Sequence, residues 1–129
     1  MWVRHLLIVA LLLIPWPAAA ERFAWWQSAE IQKELRLTRK QVAALDSAFD
    51  ASLPERRALR AAFDRCEFEF EQLMKEPDPD ERLAVDIIAR LEQARARRNV
   101  RRTVLLLRMR RILTPDQRTA LDRIAAQQP

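Results

Sequence analysis

Not one glycine occurs in the 129 residues of this chain. Glycine is the residue that enters left-handed backbone without steric cost, so two-residue β-hairpins and phosphate-cradling loops draw on it heavily. Its absence argues against a β-rich fold and against a nucleotide-binding loop. A chain built this way is expected to make its elements from helices and to end them with side-chain caps.

The caps are legible. Leu37-Thr38-Arg39-Lys40-Gln41 and Leu113-Thr114-Pro115-Asp116-Gln117 repeat one five-residue pattern, 76 positions apart. Each places Thr three residues before Gln, which is a capping box: the hydroxyl accepts from the N3 amide and the Gln side chain reaches back to the N-cap amide. Pro115 falls on the first helical position, where a missing N–H costs nothing. A helix is therefore predicted to start after each Thr.

The first twenty residues read as a leader. Arg4 supplies a basic start, Leu6 to Ile14 is an unbroken apolar run, and Ala18-Ala19-Ala20 follows Pro15-Trp16-Pro17. Nine apolar residues are far fewer than the roughly 20 that span a bilayer. Residues 1–20 are thus expected to be a cleaved signal peptide, with an uncleaved N-terminal anchor as the alternative, and residues 21–129 one helical domain outside the cytoplasm. That domain keeps a positive charge and has no histidine, since His5 lies in the leader.

Along the domain, Phe23 to Trp26 precedes a short helix capped by Ser28 and running to Leu35. After the first box, Val42, Leu45, Phe49, Leu59, Phe63, Cys66, Phe70 and Leu73 recur at steps that fit a heptad seam, interrupted at Ser52 and Arg56. Pro54 lies in that interruption and is expected to kink or break the helix there. Residues 75–79 read as a turn, with Asp78 as N-cap, Pro79 at N1 and Glu81 at N3 of the next helix. That helix should reach Ile112, a length of about 50 Å at 1.5 Å per residue. Leu83, Ile87, Leu91 and Ala94 mark its first apolar face. From Val100 through Val104–Leu107 and Met109 to Ile112 the apolar arc is too broad for one neighbouring helix to cover. A last helix from Pro115 to about Ala126 should turn Leu121, Ile124 and Ala125 inward. The fold class is all-α: an elongated helical hairpin with short flanking helices. The uncovered arc predicts a homodimer.

Charge is segregated. Residues 90–111 hold nine arginines and one acid, whereas residues 64–86 hold nine acids against three basic residues. Folding the hairpin about position 77 lays residues 95–101 beside 53–59, so Arg56, Arg57 and Arg60 join Arg97, Arg98, Arg101 and Arg102 in one basic zone. These seven arginines are the candidate face for a client or partner. Nucleic acid does not fit, because export removes it and aromatic residues do not interleave with the arginines. An anionic membrane surface fits less well than protein, since the apolar residues beside the arginines belong to the core-facing arc.

Taken together, the Trp pair, the first Leu-Thr-x-x-Gln, the acidic-tipped hairpin and the closing Leu-Thr-Pro-Asp-Gln-Arg resemble the periplasmic Spy/CpxP family. The resemblance covers nearly all of residues 25–125 and is greatest to the periplasmic heavy-metal sensor and heavy-metal resistance branch. It implies a cradle-shaped, all-α dimer in the periplasm, acting under envelope stress as an ATP-independent holding chaperone or adaptor. Its clients would be unfolded envelope proteins. The alternative it carries is a regulatory sensor acting on a membrane partner, a sensor kinase or anti-sigma factor. Leu37, Thr38, Gln41, Leu113, Thr114 and Gln117 match the family motif by position.

The sequence departs from the metal branch, which uses histidines. Glu67 and Glu71 share a helix face, but carboxylates without imidazole or thiolate neighbours make a poor transition-metal site. No cofactor is expected. Nor is an enzyme: the chain lacks a histidine base beside a nucleophile and a glycine-supported oxyanion loop. Cys66, the single cysteine, reads as a small apolar seam residue, with an intermolecular disulfide as its functional alternative.

Overall fold

The structure is a computed structural model that describes residues 24–127. The leader expected at 1–20 lies outside the described residues. Among them the chain is 88% helical and contains no strand, in line with the all-α class expected from the sequence. The described residues divide into two compact units, one ending at Arg36 and the other beginning at Leu37.

In the first unit a 3-10 turn, Trp25–Gln27, leads into α1, Ala29–Leu35. The rings of Trp25 and Trp26 meet edge to face with centroids 5.6 Å apart, and Trp26, Ile31 and Leu35 are buried. Gln32 Nε2 donates to the Trp26 carbonyl at 2.8 Å, tying turn to helix. Ser28 stands at the N-cap of α1 as expected, but its hydroxyl accepts no capping bond. Helix α1 closes on Arg36 at φ 53° and ψ 46°, the sole positive φ among the described residues. This left-handed closing position is normally given to glycine. Arginine holds it here at a cost of about 1 kcal/mol.

The second unit contains α2 (Arg39–Met74), α3 (Glu81–Ile112) and α4 (Pro115–Gln127). Helices α2 and α3 form the hairpin, antiparallel and in the anticipated register: Glu55 pairs with Arg101 and Glu69 with Arg90, both at 2.8 Å. Its buried seam takes Leu45, Phe63 and Leu73 from α2, and Ile87, Leu91, Leu105 and Met109 from α3, with Leu113 just beyond. Between the Leu45 and Phe63 levels the seam carries half-buried Ser52 and Arg56.

Several details differ from expectation. Helix α3 is capped by Asp80 rather than Asp78, its Oδ1 accepting from Arg82 N at 2.9 Å. Residues 75–80 are thus consumed in crossing between two packed helices, whose axes lie about 8–10 Å apart. Leu83, placed on the seam by periodicity, is exposed and so is Met74 opposite it, because both sit where the hairpin stops. Ala125 likewise faces out, while Leu121 and Ile124 are half-buried.

Pro54 does not break α2, which runs through it for 36 residues. Proline removes the N–H that would have bonded the Asp50 carbonyl. Both residues are exposed, so water can serve that oxygen, and seam contacts on either side hold the helix together. Ser52 Oγ donates to Phe49 O at 2.6 Å one turn earlier. Pro54→Ala should therefore stabilise the unit by about 1–2 kcal/mol, the regained helix bond outweighing the looser unfolded chain. A higher thermal midpoint in circular dichroism would show it; an unchanged or lower midpoint would contradict it.

Candidate functional site

Both capping boxes form. Gln41 N donates to Thr38 Oγ1 at 3.1 Å and Thr38 N to Gln41 Oε1 at 3.0 Å. At the second box Gln117 N donates to Thr114 Oγ1 at 3.3 Å and Thr114 N to Gln117 Oε1 at 2.9 Å. The hairpin then brings the two boxes together. Gln41 Nε2 donates to Gln117 Oε1 at 2.7 Å, and Gln117 Nε2 donates to Gln41 Oε1 at 3.1 Å. Gln41 Nε2 also reaches the Ile112 carbonyl at 3.1 Å, one of the orphan acceptors at the end of α3. Each glutamine thus caps its own helix and grips the other.

Around this lock the packing is tight. Leu113 is 2% exposed, and Leu45, one turn beyond Gln41, is fully buried. Arg110 at the end of α3 makes a two-pronged pair with Asp122 of α4, at 2.7 and 3.1 Å. That hydrogen bond holds the Arg110 guanidinium above its ordinary pKa. Arg118 Nε donates to the Arg110 carbonyl at 2.8 Å. The motif residues are therefore a structural joint, and the link between them was not anticipated. The signal was available, since two boxes at the start of α2 and the end of α3 must meet when an antiparallel hairpin closes.

Antiparallel pairing of α2 and α3 lays the segments that carry the seven candidate arginines side by side. Arg98 lies over the Phe63 ring, 4.3 Å from its centroid, and Arg56 lies 5.1 Å from that of Phe49. Arg95, which was outside the candidate set, lies 5.8 Å from the Phe63 centroid. Arg101 pairs with Glu55 and Arg60 with Asp64, the latter at 3.8 Å. Three Arg-Arg doublets, 56–57, 97–98 and 101–102, each divide in the same way. Arg56, Arg98 and Arg102 are half-buried, whereas Arg57, Arg97 and Arg101 are exposed.

Exposed apolar side chains stand on both arms of the hairpin, Val100 within the arginine-bearing segment itself. Phe68 and Met74 on α2, with Leu83, Val85 and Ile88 on α3, gather toward the tip, while Val100 and Leu107 stand on α3. The broad arc therefore does leave side chains uncovered. Cys66 is half-buried on α2 between Phe63 and Phe70. Among the described residues no group of three or more His, Cys, Asp or Glu side chains converges to hold a metal ion. Nor is any described helix long and apolar enough to cross a membrane.

The model of one protein family, described as "LTXXQ motif family protein", matches residues 24–125. Comparison with curated proteins gave no match, and comparison with solved structures gave none.

Proposed function

This chain belongs to the LTXXQ motif family, which includes the Spy/CpxP-like periplasmic proteins, and from that premise we propose that it is an exported, non-enzymatic holding chaperone or adaptor. Members of the family are typically periplasmic, in keeping with a leader at residues 1–20. The observation that carries the reading is the hairpin's surface: large apolar side chains such as Phe68, Val85 and Ile88 stand exposed on the same helices as the arginine doublets. Phe68, Met74, Leu83, Val85 and Ile88 all lie toward the hairpin tip, and exposed apolar side chains concentrated in one region mark an interaction surface. Aliphatic arginine stems extend that surface while their charged heads stay wet, so varied unfolded segments can be held weakly.

The working form is a homodimer, because exposed Val100 and Leu107 on α3 need cover. Cys66 can join two copies by a disulfide in an oxidising compartment, which a non-reducing gel would reveal. No metal or cofactor takes part.

The purified chain should slow aggregation of an unfolding model protein at low salt and lose most of that effect near 0.5 M salt, where screening shortens to a few Å. Absence of suppression at every salt concentration would refute the chaperone reading. A single saturable partner from a periplasmic extract, lost on charge reversal at Arg97, Arg98 and Arg101 with helicity intact, would point instead to the regulatory role on a membrane partner.

A further inference from the structure

The middle of the hairpin is unusual in its charge. Residues 55–62 of α2 and 95–102 of α3 lie side by side and contain eight arginines and one carboxylate, Glu55, which pairs with Arg101; Arg60 and Arg95 pair with Asp64 and Glu92 just outside these segments. Eight residues of helix span about 12 Å. Arg57 and Arg97 are exposed and have no carboxylate partner among the described residues, and neither do ring-stacked Arg56 and Arg98. Like charge at this density opposes folding unless an anion offsets it. The zone contains no lysine, so every cation in it is a planar fork suited to two-pronged oxyanion binding.

We propose that this zone is a binding site for a linear, phosphate-dense polyanion such as an inorganic polyphosphate chain. Charge spacing favours it over an acidic peptide. In an extended peptide the side chains of one face recur only every two residues, roughly 6.6 Å. A phosphate chain presents an anion at every repeat, and each phosphate can accept both prongs of a fork. The doublets also disfavour a membrane plane. Consecutive residues of a helix point about 100° apart, so Arg56 and Arg57 address different sides, as do the members of the other two doublets. A flexible chain can follow both sides, whereas a flat surface reaches one and brings the acidic tip against lipid phosphates. Nucleic acid is disfavoured because the rings of Phe63 and Phe49 are already covered by guanidinium groups, leaving no platform for bases. The binding needs no holding activity, so either can exist without the other.

Titration calorimetry of the full chain with sodium polyphosphate, at 50 and 200 mM salt, tests the site. Binding should be salt-dependent, and competition should show polyphosphate displacing poly-glutamate of matched charge by at least tenfold. Arg57→Gln with Arg97→Gln, neither of which touches the core, should weaken binding about tenfold or more at 50 mM salt. Removing two contacts should also reduce the slope of log affinity against log salt by about 1.4. Arg57→Lys with Arg97→Lys should fall in between. Circular dichroism should be the same for all forms. No heat of binding, equal affinity for poly-glutamate, or an unchanged salt slope in the glutamine variant would overturn the proposal. So would tighter binding to phosphatidic acid vesicles than to polyphosphate, which would assign the zone to a lipid surface.

Discussion

Gln41→Ala should destabilise the second unit by about 2–3 kcal/mol, a large effect for a side chain near the surface. The amide of Gln41 takes part in four hydrogen bonds: with Thr38 N, Ile112 O, and twice with Gln117. Each is worth about 1 kcal/mol net, with some recovered from water in a half-exposed position. For a unit of this size the thermal midpoint should fall by some 10–20 °C. Gln117→Ala removes three of the same kind of bond and should cost slightly less. The instructive measurement is the double variant in urea unfolding. If the two amides form one joint, losses will fall short of additive by about 1 kcal/mol or more. Additivity within about 0.3 kcal/mol would mean that each capping box works alone and the cross-link contributes nothing.

Leu45→Ala should be the costliest single truncation, about 3–5 kcal/mol. Leu45 is the one large side chain with no exposed surface at all among those described. It sits one helical turn past Gln41, so the cavity it leaves opens beside the amide joint, where the backbone has little freedom to collapse. Urea unfolding should show a lower midpoint with an unchanged slope. A loss below 1 kcal/mol would show that the base of the hairpin repacks freely and that the joint does not fix it.

How much of this could be read beforehand depends on the range of the interaction involved. The starts of α2 and α4 were legible because a capping box is closed within four residues; Thr38 and Thr114 each carry the whole device. The register of the hairpin followed from folding it about the turn near position 77, and the Arg101–Glu55 pair falls where that placed residues 95–101. Asp80 could not be chosen over Asp78 from local chemistry, since both precede an acceptable first turn and only the gap between packed helices decides. Leu83 failed for a related reason: periodicity marks a face but not where the partner helix ends. The persistence of α2 through Pro54 depends on seam contacts on both sides outweighing one lost backbone bond.

Within the candidate site the split was similar. That Arg56, Arg57 and Arg60 would lie beside the α3 arginines followed from antiparallel folding alone. That each doublet would keep one side chain half-buried and one exposed did not, and for Arg98 and Arg56 it depends on Phe63 and Phe49 offering ring faces. The amide-to-amide link escaped because a capping glutamine already has a complete local explanation, which hid the second partner of each Oε1 and Nε2.

The choice of arginine fixes how the molecule can be adjusted from outside. A guanidinium does not deprotonate in proteins, and those of Arg90 and Arg110 are held still further from neutrality by Glu69 and Asp122. Acidification of the surroundings therefore leaves the positive half of the charge map as it was. Dissolved ions do reach it, so the mineral content of the medium, more than its acidity, is the dial by which the environment sets the strength of this surface.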